Sequence, residues 1–446
     1  MRKLIIIVAF IAFGQCTYAQ DLSLRDCMLY ALENSYDAKI KERENDSRAA
    51  DYRSAYLDWL PSINGGISAS SNFGRGIDPN TNVYNNITSF SNGYSIDASY
   101  TIFNGFSVIN NYRIAKVSKA VGMSEAQQVE DDICLNVTQA YFNVLYFKEL
   151  VRISREQLKE SQENYRRTVL LEEIGLKGHT DVLDMDAKVA SEQLALTRKL
   201  NNYEQAVLVL KNVMCFPFEK DLSIAADIFL VGEPYMGTMK ADSVFDSAKT
   251  FLPSVKMAEA EVTNAKYRWQ SAKLSILPSI SASGGFSTGY MNYLSGSSVD
   301  VKPFFSQLES KMGEYVGISM RIPIFNGLAR YSNARKYKNS FMIAKYNKDK
   351  KLQELSMEIH KAIQEMEGAY QEYISAQKNE EAQSLAYRAN SKKYEEGLIN
   401  VLDLMLSSNR WNMAQVECLN SALVYLLKKK IVDYYNGIGW VAGAEN

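Results

Sequence analysis

Apolar residues return along this chain with distinct periods, and each period predicts a different element. Tyr94, Ile96, Ala98, Tyr100 and Ile102 alternate with Ser95, Asp97, Ser99 and Thr101. Val316, Ile318, Met320, Ile322 and Ile324 alternate in the same way with Gly317, Ser319 and Arg321. A period of two predicts strands with one apolar and one small-polar face. Two partner strands follow over 63–73 and 280–290. There Ile63, Ile67, Ala69 and Phe73, or Ile280, Ala282, Phe286 and Tyr290, share a face, and the other face is mostly Ser and Gly. A different rhythm, in steps of four and three, joins Ile133, Val137, Ala140, Val144, Phe147, Val151, Ser154, Leu158, Ser161 and Tyr165, the seam of a coiled coil. With no proline between Pro79 and Pro217, residues 105–173 are expected to form one helix about 100 Å long.

The pattern occurs twice. Leu60-Pro61-Ser62-Ile63 recurs 217 residues later as Leu277-Pro278-Ser279-Ile280, and Ile102-Phe103-Asn104-Gly105 recurs 222 residues later as Ile324-Phe325-Asn326-Gly327. Val182-Leu183-Asp184 recurs 219 residues later as Val401-Leu402-Asp403. The order and spacing describe a tandem duplication: a first repeat over 20–215, a joining segment over 216–241 and a second repeat over 242–446. Each repeat is expected to hold one helical stretch (22–60 or 243–277), two strands and a long helical hairpin. The stretch ends at its Leu-Pro dipeptide because proline pushes its predecessor toward extended geometry.

The amino terminus carries targeting information. Met1-Arg2-Lys3, the apolar run Leu4–Phe13 and the small residues around Ala19 form a signal peptide over 1–19. A retained anchor and lipidation at Cys16 are the alternatives. The apolar run is shorter than the roughly 20 residues that span a bilayer, and no longer run follows. The strands alone fit a soluble sandwich as well as a wall between lipid and water. The helices decide between these, since a single globular core does not accommodate helices of this length. Four strands are too few to close a barrel, whose smallest members have about eight, and open strand edges are forbidden in lipid. The chain is therefore expected to share a barrel with copies of itself.

Charge and chemistry change little in this picture. Fifty Lys and Arg balance 51 Asp and Glu, so nothing points to nucleic acid. Cys27, Cys134, Cys215 and Cys418 share no ligand spacing and are expected to be buried small hydrophobes. His179 and His360 have no cysteine or carboxylate pair at ligand spacing. No acid–base or nucleophile cluster is visible, so catalysis, metal and cofactors are not expected.

Taken together, the paired Ile-Phe-Asn-Gly and Leu-Pro junctions and the two helix tips resemble the TolC family of outer-membrane export channels. The tips in question are Ile174-Gly175-Leu176 through Asp184 and Gly397 through Asp403. The resemblance covers essentially the whole mature chain. It implies a mixed α and β membrane protein: a homotrimer with a shared twelve-stranded barrel and a coiled-coil periplasmic tunnel. An equatorial belt would come from 216–241 and the residues after Tyr435, and loops 74–93 and 287–314 would face outside. It further implies an exit duct for a tripartite efflux pump or type I secretion system, with a periplasmic adaptor, an inner-membrane pump or ABC transporter and outer-membrane lipid as partners. A pore-free coiled-coil scaffold or adhesin is the rival.

Several residues follow as candidates. Gly105 and Gly327 mark the strand-to-helix junctions, and Gly175, Leu176, Gly178, Gly397 and Leu398 the adaptor-docking tips. Asp181, Asp184 and Asp403 are candidates to line the aperture. Their plainer role is local: Asp181 and Asn400 are expected N-caps, with Asp184 and Asp403 three residues on. The second tip is three residues shorter than the first. It also lacks the arginine that the resemblance assigns to aperture closure, since Gly397–Asn400 reads Gly-Leu-Ile-Asn.

Overall fold

A computed structural model describes residues 21–77, 81–225, 240–295 and 300–444. The signal segment, with Cys16, and most of the joining segment lie outside these described residues. In chain order the elements are α1 (Leu24–Asn34), α2 (Tyr36–Leu57), β1 (Ser62–Ile77), β2 (Tyr84–Asn104), α3 (Ser107–Glu173), α4 (His179–Val213), α5 (Ala241–Phe251), α6 (Pro253–Leu274), β3 (Ser279–Ser295), α7 (Phe304–Ser310), β4 (Gly313–Arg321), α8 (Ala329–Glu395) and α9 (Val401–Tyr435). Helices at corresponding places have equal lengths: 11 residues for α1 and α5, 22 for α2 and α6, 67 for α3 and α8, and 35 for α4 and α9.

The helical stretch expected before each Leu-Pro dipeptide is broken in two. At Leu252 the break has a covalent cause: Pro253 holds its predecessor extended, at φ −59° and ψ 129°. Ser35 adopts the same geometry without a proline, at φ −56° and ψ 131°. Its hydroxyl then accepts from the Asp37 N–H at 3.2 Å and starts α2.

The four strands form one antiparallel sheet in the order β1-β2-β3-β4. Three strands run longer than the alternation of apolar residues suggests. Pairing continues from Gly74 opposite Ile87 to Ile77 opposite Tyr84, so most of the loop expected over 74–93 is ladder, Gly74-Arg75-Gly76 included. β3 reaches Ser295, and α7 occupies part of the loop expected over 287–314. Periodicity misses these ends because Gly, Asn and Ser carry no apolar signal, whereas backbone pairing needs only N–H and C=O groups. β4 ends at Arg321 rather than Ile324, because Pro323 has no N–H to donate. Among the described residues, β1 and β4 are open edges.

The chain packs as two compact units, and each draws on both repeats. One holds residues 44–123 and 257–348, with the sheet and the adjoining ends of four helices. Within it Trp269 stacks on Phe341 at 5.6 Å, and the hydroxyls of Tyr52 and Tyr112 meet at 2.7 Å.

The other unit holds the rest, including most of α3, α4, α8 and α9. The expected α3 seam is its spine. Ile133, Val137, Ala140, Val144, Val151, Ser154, Leu158 and Ser161 are all buried. Cys27, Met28 and Ala31 of α1 pack on it beside Leu210, Met214 and Ile224. Tyr141 Oη donates to the Ala225 carbonyl at 3.0 Å, and Lys148 Nζ to that of Ile224 at 2.9 Å, which ties the joining segment to α3. In the second repeat Val244, Ala248 and Leu252 pack on Leu355, Ile359 and Met366 in the same manner. The four described cysteines are free. Cys27 and Cys134 are buried small hydrophobes whose thiols burial pushes up to about 12, while Cys215 and Cys418 are half-buried.

One polar contact in this unit responds to pH. Tyr434 Oη of α9 donates to the Asp131 carboxylate of α3 at 2.8 Å. Burial outweighs that bond and, with Asp132 and Glu130 alongside, raises the Asp131 pKa from 3.8 to about 6. A raised carboxyl pKa means that the folded protein binds the extra proton. Asp131 therefore costs stability above about pH 6, and the cost disappears as pH falls toward 4. Asp131→Asn keeps an acceptor for Tyr434. It is expected to raise stability at pH 7.5 by roughly 1 kcal/mol, after discounting for partial solvent screening, with about a third of that gain left at pH 4.5. Thermal melting at the two pH values checks this.

Candidate functional site at the helix tips

α3 ends at Glu173, and a proper stop is built from the next residues. Gly175 takes φ +78°, the left-handed conformation that glycine adopts without a Cβ penalty. Its N–H bonds the Glu172 carbonyl at 2.8 Å, and the Leu176 N–H bonds that of Leu171 at 2.8 Å, forming a Schellman motif. At the end of α8, Gly397 takes φ +74°, and the N–H groups of Gly397 and Leu398 bond the carbonyls of Tyr394 and Lys393 at 3.0 and 2.8 Å. Leu176 and Leu398 are left exposed at the two tips.

The second returning helix starts at Asn400 as expected, but the first does not start at Asp181. The N-cap of α4 is Gly178, and Asp181 sits three residues in. The Asp181 carboxylate accepts from the Gly178 N–H at 3.2 Å, which is the reciprocal half of a capping box. The N-cap of α9 is Asn400, whose side chain accepts from the Asp403 N–H at 2.8 Å. Thus Asp181 and Asp403 occupy equivalent positions, whereas the sequence motif pairs Asp184 with Asp403. The three extra residues of the first tip lengthen no loop. They form the first turn of α4 and slide Val182-Leu183-Asp184 one turn along it. Val182 and Leu404, both buried, then hold the same helical position. Asp184 and Asp403 are exposed and Asp181 is half-buried.

Contacts between the tips were not legible in the sequence. Lys177 Nζ donates to the Ile399 carbonyl at 3.0 Å and lies 4.8 Å from the centroid of the Tyr394 ring, a cation–π distance. The buried hydroxyls of Tyr394 and Thr168 meet at 2.7 Å. Burial holds the Tyr394 phenol above its usual pKa, and the Asp181 charge adds to this. Arg167 pairs with Glu395, and Tyr387 Oη donates to Glu160. Tyr387 also stacks on Trp411 at 5.1 Å, over a core of Met185, Val401 and Leu404. His179 Nδ1 lies 2.8 Å from Glu172 Oε1, bracing the first tip. Apart from His179–Glu172 and the Tyr387–Trp411 stack, these links join residues more than 200 positions apart, so no local pattern announces them.

The two strand-to-helix junctions share a strained conformation. Gly105 and Gly327 take φ +65° and +64°, and the next residues, Phe106 and Leu328, take +64° and +62°. Left-handed geometry costs a residue with a Cβ about 1–2 kcal/mol. The preceding asparagine helps to hold it: Asn104 Oδ1 accepts from the Val108 N–H at 3.3 Å, which satisfies a donor of the first turn.

A Cβ at position 105 would lie 2.6 Å from the Leu274 carbonyl oxygen, whereas at 327 nothing lies within 4 Å. Gly327→Ala is therefore expected to lose only the conformational term, about 1 kcal/mol. Gly105→Ala should lose more, because backbone must move as well. Thermal melting of the two detergent-solubilised variants checks the order.

Comparison with known proteins agrees with this geometry. The model of the outer membrane efflux protein family matches residues 30–214 and 245–426. Nodulation protein T of Rhizobium leguminosarum bv. viciae is 23% identical over 407 residues, 90% of this chain and 78% of that protein. Among solved structures, the CusC channel superposes with a TM-score of 0.79 at 16% identity, covering 95% of each chain. The Campylobacter jejuni CmeC outer membrane channel does so with a TM-score of 0.78 at 19% identity, covering 97% of this chain and 91% of that one. The chain belongs to the outer membrane efflux protein family and, as the resemblance implied, is an outer-membrane export duct that extends into the periplasm.

Proposed function

We propose that three copies of the chain close one barrel and passively conduct solutes outward, receiving them at the helix tips from a periplasmic adaptor and an inner-membrane pump or ABC transporter. The observation that carries this reading is the open sheet. Four strands with two unpaired edges cannot stand in lipid alone, and three copies supply a closed set. The joining segment and the residues after Tyr435 would form the belt around the middle. The duct carries out no covalent chemistry. In place of the missing arginine, the Lys177 bridge and the Arg167–Glu395 pair hold the two tips of each copy together.

Gly175, Leu176, Gly178, Gly397 and Leu398 form the adaptor-docking surface in this reading, and Asp181, Asp184 and Asp403 face the aperture. Repeated by symmetry, these carboxylates concentrate cations in a narrow mouth. Neither cap depends on their charge: the Asn400 cap uses the Asp403 backbone, and an amide at 181 still accepts from Gly178.

Light scattering on the detergent-solubilised protein should give three chains per particle, and a stable monomer would overturn the architecture. In planar bilayers the triple variant Asp181→Asn, Asp184→Asn and Asp403→Asn should lose most of the cation preference of the wild type while melting at nearly the same temperature. Equal ion preference would leave these residues as parts of helix starts. Gly175→Asp and Gly397→Asp meet open space but strain a left-handed backbone by about 1 kcal/mol, so they should still assemble while exporting poorly. Normal export by both would place docking elsewhere.

A further inference from the structure

The sheet contains enough internal repetition to specify how one copy joins the next. In the first hairpin Ser62 lies opposite Ser99, and in the second Ser279 lies opposite Arg321. Ser279 follows Ser62 by 217 positions and Arg321 follows Ser99 by 222, the separations of the Leu-Pro and Ile-Phe-Asn-Gly junctions. The same offsets hold further along, where Ala69 opposite Asn92 corresponds to Phe286 opposite Glu314. Backbone pairing thus settles an equivalence that residue identity leaves open. Matching Gly65-Gly66 to Gly284-Gly285 would shift β1 against β3 by two residues.

Within the chain, β2 joins the first hairpin to β3 of the second, with Tyr94 opposite Thr288, Ile96 opposite Phe286 and Ser99 opposite Ser283. Where copies meet, β4 of one chain stands to β1 of the next as β2 stands to β3. We propose that β4 pairs antiparallel with β1 of the neighbouring copy in the transposed register: Val316 opposite Ser71, Ile318 opposite Ala69, Met320 opposite Ile67 and Arg321 opposite Gly66. This rests on the shared barrel proposed above and goes beyond it by fixing one register among many.

Side-chain faces supply an independent check. Directly opposed residues of an antiparallel pair point to the same face. Val316 and Met320 are 92% and 57% exposed on the apolar face of β4, and Ile67 and Phe73 are 81% and 78% exposed on that of β1. The transposed register puts these faces on one side. It also sets Ser319 opposite Ser68, beside the existing Ser281–Ser319 hydroxyl contact of 2.8 Å. A slip of one residue would turn every apolar side chain of one strand to the serine face. A slip of two keeps the faces, so only the repeat argument excludes it, and that is where the test must discriminate.

Cysteine pairs in the full-length protein, oxidised in native membranes, distinguish these registers. Directly opposed Cβ atoms lie about 4.5–5.5 Å apart and diagonal ones about 7–8 Å, while a disulfide needs about 3.5–4.5 Å. Opposed pairs alternate between wider hydrogen-bonded and closer non-hydrogen-bonded positions. Ser71→Cys with Val316→Cys and Ser68→Cys with Ser319→Cys sample both kinds. At least one of these variants should run as disulfide-linked trimer on non-reducing gels, several-fold above its two-residue slips. Those slips are Ala69→Cys or Phe73→Cys with Val316→Cys, and Gly66→Cys or Ser70→Cys with Ser319→Cys. Stronger linkage in a slipped pair would overturn the register and leave the shared barrel standing. No linkage in any pair, with light scattering still giving three chains, would overturn the transposed register and with it the equivalence of the β4–β1 and β2–β3 seams. No linkage together with a monomer would bring down the shared barrel as well.

Discussion

A backbone that enters hydrocarbon must satisfy every N–H and C=O within protein, because no water is there to take them. Much of this chain follows from that constraint. Among the described residues no helix is long and apolar enough to cross a membrane, and most of the residues that alternate apolar with small-polar lie in the sheet. Inside the sheet the requirement is met by ladders that run through glycine- and asparagine-rich ends such as Gly74 to Ile77. Serine rungs at Ser62–Ser99, Ser70–Ser91 and Ser281–Ser319 satisfy hydroxyls in pairs, so the polar face is paired across strands too. Among the described residues, the two outer edges, β1 and β4, are left for pairing outside this sheet.

The long helices solve a different problem. A helix of 67 residues gains little from a single core and must be buried along a stripe. The α3 seam does this with mixed sizes, large at Ile133 and Val144 and small at Ala140, Ser154 and Ser161. Small residues let the neighbouring helices approach, and Ser and Thr at such positions bond their own backbone, as Thr138 and Thr168 do to the carbonyls four residues back. Equal helix lengths in the two repeats keep the tips aligned. The Val-Leu-Asp motif slides by one turn without disturbing this, because at both starts a buried apolar residue still falls on the fourth helical position.

Strain is confined to places where direction changes sharply. Consecutive left-handed residues at both strand-to-helix junctions turn the chain in two residues, and asparagine and glycine make that turn tolerable. The cost recurs identically in both repeats, which indicates that the turn is imposed by what the two elements must do rather than by local preference.

Much was legible in the residues themselves. Alternation located the strands, steps of four and three located the seam, and glycines marked the helix stops at 175 and 397. These are local properties, set by φ, by side-chain spacing and by which face is apolar, so a short window contains them. Proline explained the break at Leu252, but nothing local announced its counterpart at Ser35. The offset of 219 at the Val-Leu-Asp motif misaligned the tips by one turn, because helix phase depends on the cap that hydrogen bonding selects, Gly178 in one repeat and Asn400 in the other. Pairings of Lys177 with Ile399 and Tyr394, of Arg167 with Glu395 and of Asp131 with Tyr434 join residues over 200 positions apart. Strand register was likewise beyond the sequence, since two glycine-rich alignments compete within two residues of each other. Local chemistry determined which elements form and where they stop. Only the tertiary structure decided their phase and partners, because those depend on long-range hydrogen bonds that many spacings of the same residues would allow.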